Sequence, residues 1–237
     1  MTTLQELNKA LEKEKNAEQA QILARFFKTG KGQYGEGDIF LGIKVPVQRR
    51  ISKQFKELTI NDLQQLLSSK VHEKRLISLF ILIQKYKQSD ETAKEEIFEF
   101  YLKNAKNVNN WDLVDLSAPN IVGDFLLSKD KKVLYKLAKS TNLWENRIAI
   151  LATFTFIRNN QFKDTLNISK LLLNHSHDLI HKAVGWMLRE IGKRDLKVEE
   201  DFLQEDNRYN KIPRTMLRYA IERFEESKRQ KYLKGKI

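Results

Sequence analysis

The sequence predicts an all-α protein, and three observations carry that prediction. Apolar residues recur at helical spacing and almost never alternate: Leu76, Leu79, Phe80 and Ile83 follow i, i+3, i+4, i+7, and Ile150, Phe154 and Ile157 follow i, i+4, i+7. Helix-start residues stand before the periodic segments, at Thr59, at Ser89-Asp90 and at Asn109-Asn110. Their side-chain oxygens can accept the unpaired N–H groups of a first turn. The three prolines, Pro46, Pro119 and Pro213, stand where a helix is expected to begin, a position at which the missing N–H is no loss.

Taken in order, the chain opens on MTTLQELNKALEKEKN, which mixes charges from the start and has no signal-peptide core. A helical stretch, LARFFKTG, runs into the glycine-rich segment 30–37, GKGQYGEG, and then into DIFLGIKVP. Helical segments follow in INDLQQLL, HEKRLISLF, ETAKEEIF, WDLVDL, WENRIAILA, IHKAVGWML and IPRTMLRYA, before a basic tail, KRQKYLKGKI. This reads as about a dozen helices of roughly 8–18 residues joined by short turns. Within them Arg75, Arg147, Lys182 and Arg214 occupy comparable slots, each cation opening a mostly apolar helix, with Trp111 at the start of another. The implied repeat is about 32–36 residues, two helices per unit, the signature of a helical-pair solenoid. Identity between units is weak, so the expected architecture is a curved array of HEAT-like pairs. Its inner helices would line a concave basic groove, in a single domain over 1–237 whose last residues, 230–237, fray as a basic tail.

Composition narrows the function classes. Among 237 residues, 43 Lys and Arg oppose 31 Asp and Glu, a formal net charge of +12. That balance favours a polyanionic partner, nucleic acid first. The absence of Cys excludes a disulfide scaffold, a Cys-ligated zinc site, an iron–sulfur cluster and thiol catalysis. No apolar run approaches the roughly 18–20 residues that span a bilayer. The expectation is a cytoplasmic monomer, with no membrane contact and no required protein partner.

Several motifs carry less than their letters suggest. Gly30, Gly32 and Gly35 match a dinucleotide fingerprint, but no strand precedes them and no helix follows at once. A loop with positive-φ positions is the plainer reading, with Lys28 and Lys31 available to phosphates as the functional one. His177 and His181 have a chelating i, i+4 spacing, yet no Glu completes a zinc motif, so a turn and helix start is preferred and no metal site is expected. What remains is an aromatic–charge constellation. Trp111 and Asp115 lie i, i+4 on one helix with Asp112 beside them; Trp144 and Arg147 lie i, i+3; Lys182, Trp186 and Arg189 lie i, i+4, i+7. In the plain reading the tryptophans fill seams between helix pairs and the charges link repeats. In the functional one, WDLVD sets an indole face beside a carboxylate, able to grip a sugar–base unit and stabilise positive charge on it.

Four segments, YGEGDIFLGIKVP (34–46), NWDLVDLSAPNIVGDFL (110–126), LWENRIAIL (143–151) and KAVGWMLREIGK (182–193), resemble the DNA alkylation repair (AlkD-type) glycosylases, a HEAT-like family. The resemblance covers most of residues 15–195 in the same order and spacing, and implies that the array of HEAT-like pairs is a right-handed superhelix. It implies that Asp115 is the catalytic carboxylate, that Trp111 and Trp186 flank the lesion, and that Arg147 lies on the phosphate side. An aromatic residue of an N-terminal helix maps to Phe26, where some members carry Tyr, so a hydrogen bond from that position is lost. It further implies hydrolysis of the N-glycosidic bond of cationic N3- and N7-alkylated purines, such as 3-methyladenine and 7-methylguanine, in double-stranded DNA. The family needs no cofactor and does not flip the base into a pocket, unlike other glycosylases. The glycosylase is expected to be monofunctional. The competing readings are a non-catalytic DNA-binding HEAT-like protein, which would not need Asp115, and a protein-binding solenoid with incidental charge.

Overall fold

The computed structural model describes residues 3–237, and among them every regular element is a helix. Two compact units form, one closing at Leu113 and the other running from Val114 to Ile237. The first holds α1 (Leu4–Lys13), α2 (Ala17–Phe26), α3 (Val45–Gln54), α4 (Ile60–Leu67), α5 (His72–Gln88) and α6 (Glu91–Lys103). The boundary falls inside α7 (Trp111–Ala118). The second unit continues with α8 (Asp124–Leu126), α9 (Lys132–Ala138), α10 (Leu143–Arg158), α11 (Lys163–Leu172), α12 (Asp178–Gly192), α13 (Leu196–Gln204), α14 (Arg208–Lys211), α15 (Arg214–Ala220) and α16 (Glu226–Leu233).

Local chemistry sets most helix starts. Thr59 and Asp62 exchange hydrogen bonds in a capping box at α4, and the Asp90 side chain accepts the Ala93 N–H at α6. Pro46 lies in the first turn of α3 and Pro213 is the cap of α15, as expected. Pro119 differs: it starts a π-helical turn, Pro119–Gly123, that continues α7 directly into α8. Proline has no N–H to donate and collides with the carbonyl four residues back, and the wider π turn relieves both problems. The Thr155 hydroxyl donates to the Pro119 carbonyl at 2.5 Å, tying the turn to α10.

In the first unit the core is built where α5 packs against α3 and α4, through Ile51, Leu63, Leu67, Leu76, Ile77 and Phe80. In the second, α9 and α11 lie on α10, α13 lies on α12, and α10, α12 and α15 follow one another side by side. That is helical-pair stacking at the expected period. Helix α10 is buried around nearly its whole circumference, which explains its lack of a polar face. Each fully buried Leu or Ile in these seams contributes roughly 1.5–3 kcal/mol. The contact of α12 with α15 is so close that a Cβ at Gly185 would lie 2.4 Å from the Met216 carbonyl oxygen.

One core group works against the fold. Glu199 on α13 is 1% exposed, and its Oε1 has no hydrogen-bond partner among the described residues. Burial, with Glu200 adding to it and Arg189 opposing, pushes its carboxyl up to about 9. An acid whose folded pKa is raised holds its full stability below the unfolded pKa of 4.5 and loses it as pH rises through 9. Glu199→Gln cannot titrate, so its Tm relative to wild type is expected to climb steadily between pH 5 and pH 9 in thermal melts. A difference independent of pH would refute this.

Candidate active site

In the first unit, Trp111 stands at the start of α7 among aromatic rings. Its indole stacks on Phe27, centroids 5.3 Å apart at 20°, and meets Phe26 edge-on at 5.9 Å. Phe27 in turn stacks on Phe40 at 5.1 Å, and the His72 imidazole lies against both rings, at 4.8 and 4.7 Å. Phe26 is 61% exposed, although large aromatic side chains are usually covered. Helix α2, which carries it, has no buried residue of its own.

Beneath the rings lies a network of polar groups that spacing did not reveal. His72 Nε2 hydrogen-bonds Asp112 at 2.8 Å, while its Nδ1 lies 3.4 Å from Asp38. Asp38 also accepts from Arg75 at 2.6 Å and from the Asn110 amide at 3.3 Å. Burial opposes the anion at Asp38, but His72 and Arg75 outweigh it and hold the carboxyl below its ordinary range. Burial likewise opposes the imidazolium, and Asp112 with Asp38 overcomes it, raising His72 to about 8.

The neighbouring side chain on α5, Glu73, is wholly buried and accepts the backbone N–H groups of Leu41, Gly42 and Ile43 at 2.9–3.2 Å. It fixes the segment that follows the glycine-rich loop. The loop itself has the positive-φ positions expected of it, at Gly32 and Gly37, and Lys28 and Lys31 are exposed on it.

In the second unit the central feature is an ion pair. Arg147 on α10 donates from Nε to Asp115 Oδ1 and from a terminal nitrogen to Oδ2, both at 2.8 Å. Its other terminal nitrogen donates to the Leu179 carbonyl at 2.5 Å. Such a bidentate fork fixes the carboxylate in plane. The Asp115 side chain is 15% exposed, the Arg147 side chain only 5%. Arg147 is therefore not placed for the phosphate contact expected of it, because its guanidinium is buried and turned onto Asp115.

The other expected residues are placed as follows. Trp186 is half-buried, tilted against Phe154 at 5.6 Å, and donates to Glu190 at 3.1 Å. Lys182 pairs with Asp178 at 2.6 Å, and Arg189 is held between Glu190 and Glu222. The recurring cations thus do not form a bare basic stripe, since Arg75, Arg147 and Lys182 each face an acid. A cation in the first turns of a helix meets the positive end of the helix dipole, and a nearby carboxylate offsets it. The histidine cluster is occupied locally: His177 Nδ1 accepts the Leu179 N–H as the cap of α12, and His175 hydrogen-bonds Asn146. No group of three or more acidic, His or Cys side chains suited to a metal ion occurs among the described residues.

An all-helical protein with an arginine-clamped carboxylate is the class that fold and site define. The chain belongs to the DNA alkylation repair enzyme family, whose description matches residues 7–224. Among solved structures it is similar to a predicted DNA alkylation repair enzyme from Enterococcus faecalis, with 16% identity and a TM-score of 0.68 over 89% of this chain and 97% of that one. It is also similar to AlkD2 from Streptococcus mutans, with 18% identity and a TM-score of 0.54 over 87% and 98% of the respective chains. At these identities the likeness shows the fold alone. A comparison with curated proteins gives no match. Among the described residues, no helix is long and apolar enough to cross a membrane.

Proposed function

We propose that this protein is a monofunctional DNA glycosylase that hydrolyses the N-glycosidic bond of cationic N3- and N7-alkylated purines in duplex DNA. The observation that carries the reading is the Asp115 carboxylate held in a bidentate grip by Arg147. Alkylation at N3 or N7 leaves the purine cationic, so it departs neutral and needs little general-acid help. The bond then breaks through an oxocarbenium-like sugar, the charge pattern of glycoside hydrolysis. One fixed anion next to the deoxyribose stabilises that cation and orients the attacking water.

In this reading Trp111 and Trp186 pack on the deoxyribose and backbone around the lesion, and Phe26 offers a bare aromatic edge without a hydroxyl. Arg147 is the residue that aims the carboxylate. Lys182 and Arg189 reach phosphates only by exchanging Asp178, Glu190 and Glu222 for them, an exchange that salt weakens. Arg25, Lys28 and Lys31, all exposed, are the readier phosphate contacts in the first unit. Duplex DNA treated with a methylating agent, incubated with the protein and analysed for free bases, is expected to release 7-methylguanine and 3-methyladenine. Tight, salt-dependent binding without any base release would instead make it a non-catalytic DNA-binding member of the family.

A further inference from the structure

We propose that His72 is a positioning residue for Trp111: bridging Asp38 and Asp112 and lying against Phe27 and Phe40, it fixes the first turn of α7 and the ring on which the indole rests. The inference deepens the glycosylase reading and rests on it for its catalytic consequence, though not for its structural one.

Both chain neighbours of Trp111 are tied to this network. Asp112 receives the His72 Nε2 hydrogen bond on one oxygen, while its other oxygen accepts the Leu113 N–H at 2.9 Å. Asn110 donates from its amide to Asp38, and its side-chain oxygen accepts the Trp111 N–H at 2.8 Å. A third tie runs through the rings, from His72 to Phe27 to the indole. The indole is therefore held through its backbone on both sides and through its face, and all three routes meet at His72 and its Asp38 partner. A half-buried tryptophan with two free torsions needs such support to present one face to a sugar.

Charge explains why a histidine stands here. The groups facing the imidazole are Asp38 from the loop, Asp112 from α7 and Arg75 one turn along α5. Two carboxylates against Arg75 and an imidazolium form a balanced set. Once His72 loses its proton, the buried set carries one uncompensated negative charge and one ring nitrogen can no longer donate. The hold on Asp112 or on Asp38 then fails. With His72 raised to about 8, the hold is complete at pH 6.5 and lost as pH rises past 8.

The test follows the Trp111 indole N–H by NMR from pH 6 to pH 10, the signal being assigned by its loss in Trp111→Phe. The wild type is expected to show one transition with a midpoint near pH 8. It should vanish in His72→Gln and move down by about one pH unit or more in Asp112→Asn, which removes the strongest charge-stabilising partner. In single-turnover base release, His72→Gln should be slower by about tenfold to a hundredfold. A pH-insensitive indole, or a transition that survives in His72→Gln, overturns the inference. If His72→Gln does not fold, an unmoved midpoint in Asp112→Asn overturns it equally. If the wild type releases no alkylated base, the glycosylase reading fails while the indole titration still decides the positioning role.

Discussion

Asp115→Asn is expected to bind undamaged duplex DNA with wild-type affinity while releasing alkylated purine about a hundredfold to a thousandfold more slowly in single turnover. Losing one preorganised electrostatic partner of a developing charge typically costs that much. Asparagine keeps the shape and one acceptor for Arg147, so the side chain stays near its place and the missing quantity is the negative charge. The substitution also removes the counter-ion of a guanidinium that is only 5% exposed. Breaking such a pair from one side destabilises by several kcal/mol, and a lower Tm should accompany the lost rate. The two effects separate by temperature: if instability caused the loss, release well below the melting transition would recover. Arg147→Lys supplies the complementary result, since lysine keeps the charge but has no planar fork. It should fold and lose part of the rate, because the carboxylate is present but no longer aimed. Release by Asp115→Asn at the wild-type rate, at a temperature where it is fully folded, would remove Asp115 from catalysis.

The features legible in the sequence were those written in local spacing. Helical periodicity and caps such as Thr59 and Asp90 arise within a few residues, and the structure contains those elements; Trp111 and Asp115 likewise lie on one helix, α7. Pro119 shows where local rules stop. A proline normally marks a helix start, and only the packing of the next turn on α10, with Thr155 donating to its carbonyl, shows why the helix runs on through it. The recurring cation slots misled in a similar way. They suggested a row of cations along one face, whereas Arg75 and Arg147 are turned inward onto Asp38 and Asp115, partners 37 and 32 residues away that no periodicity announces. The His72 network was illegible for the same reason. It joins a loop residue, a helix start and a third helix across 34 and 40 residues, and a lone histidine followed by a glutamate gives no pattern to read. The W-D-x-x-D motif held one available clue, since Asp112 stands in it beside the indole.

Glu73→Ala is expected to be the most destabilising single change in the first unit, by about 3–5 kcal/mol. The carboxylate accepts N–H groups from Leu41, Gly42 and Ile43; alanine leaves all three without it, those of Gly42 and Ile43 where they are buried. Each such buried orphan costs about 1–3 kcal/mol, and partial relaxation of the loop recovers some of it. No nearby group can replace the carboxylate by a small shift, because the loop is pressed from the other side. The Asn16 N–H donates to the Leu41 carbonyl at 2.9 Å, and Gly42, at φ +81°, runs so close that a Cβ there would sit 2.0 Å from the Asn16 carbonyl oxygen. For a chain of this length such a loss lowers Tm by roughly 10–15 °C. The damage should also be directional. Helix α2 has no buried residue of its own and is tied to the body through this loop and through Phe27, so the amides of α2 should lose hydrogen-exchange protection before those of α5. Glu36→Ala is the matched control, since that carboxylate is exposed and accepts the Gly32 N–H of its own loop. A Glu73→Ala variant that melts within about 2 °C of the Glu36→Ala control would show that the loop stands without its buried anion. The support beneath Phe26 and Trp111 would then have to come from the aromatic stack alone.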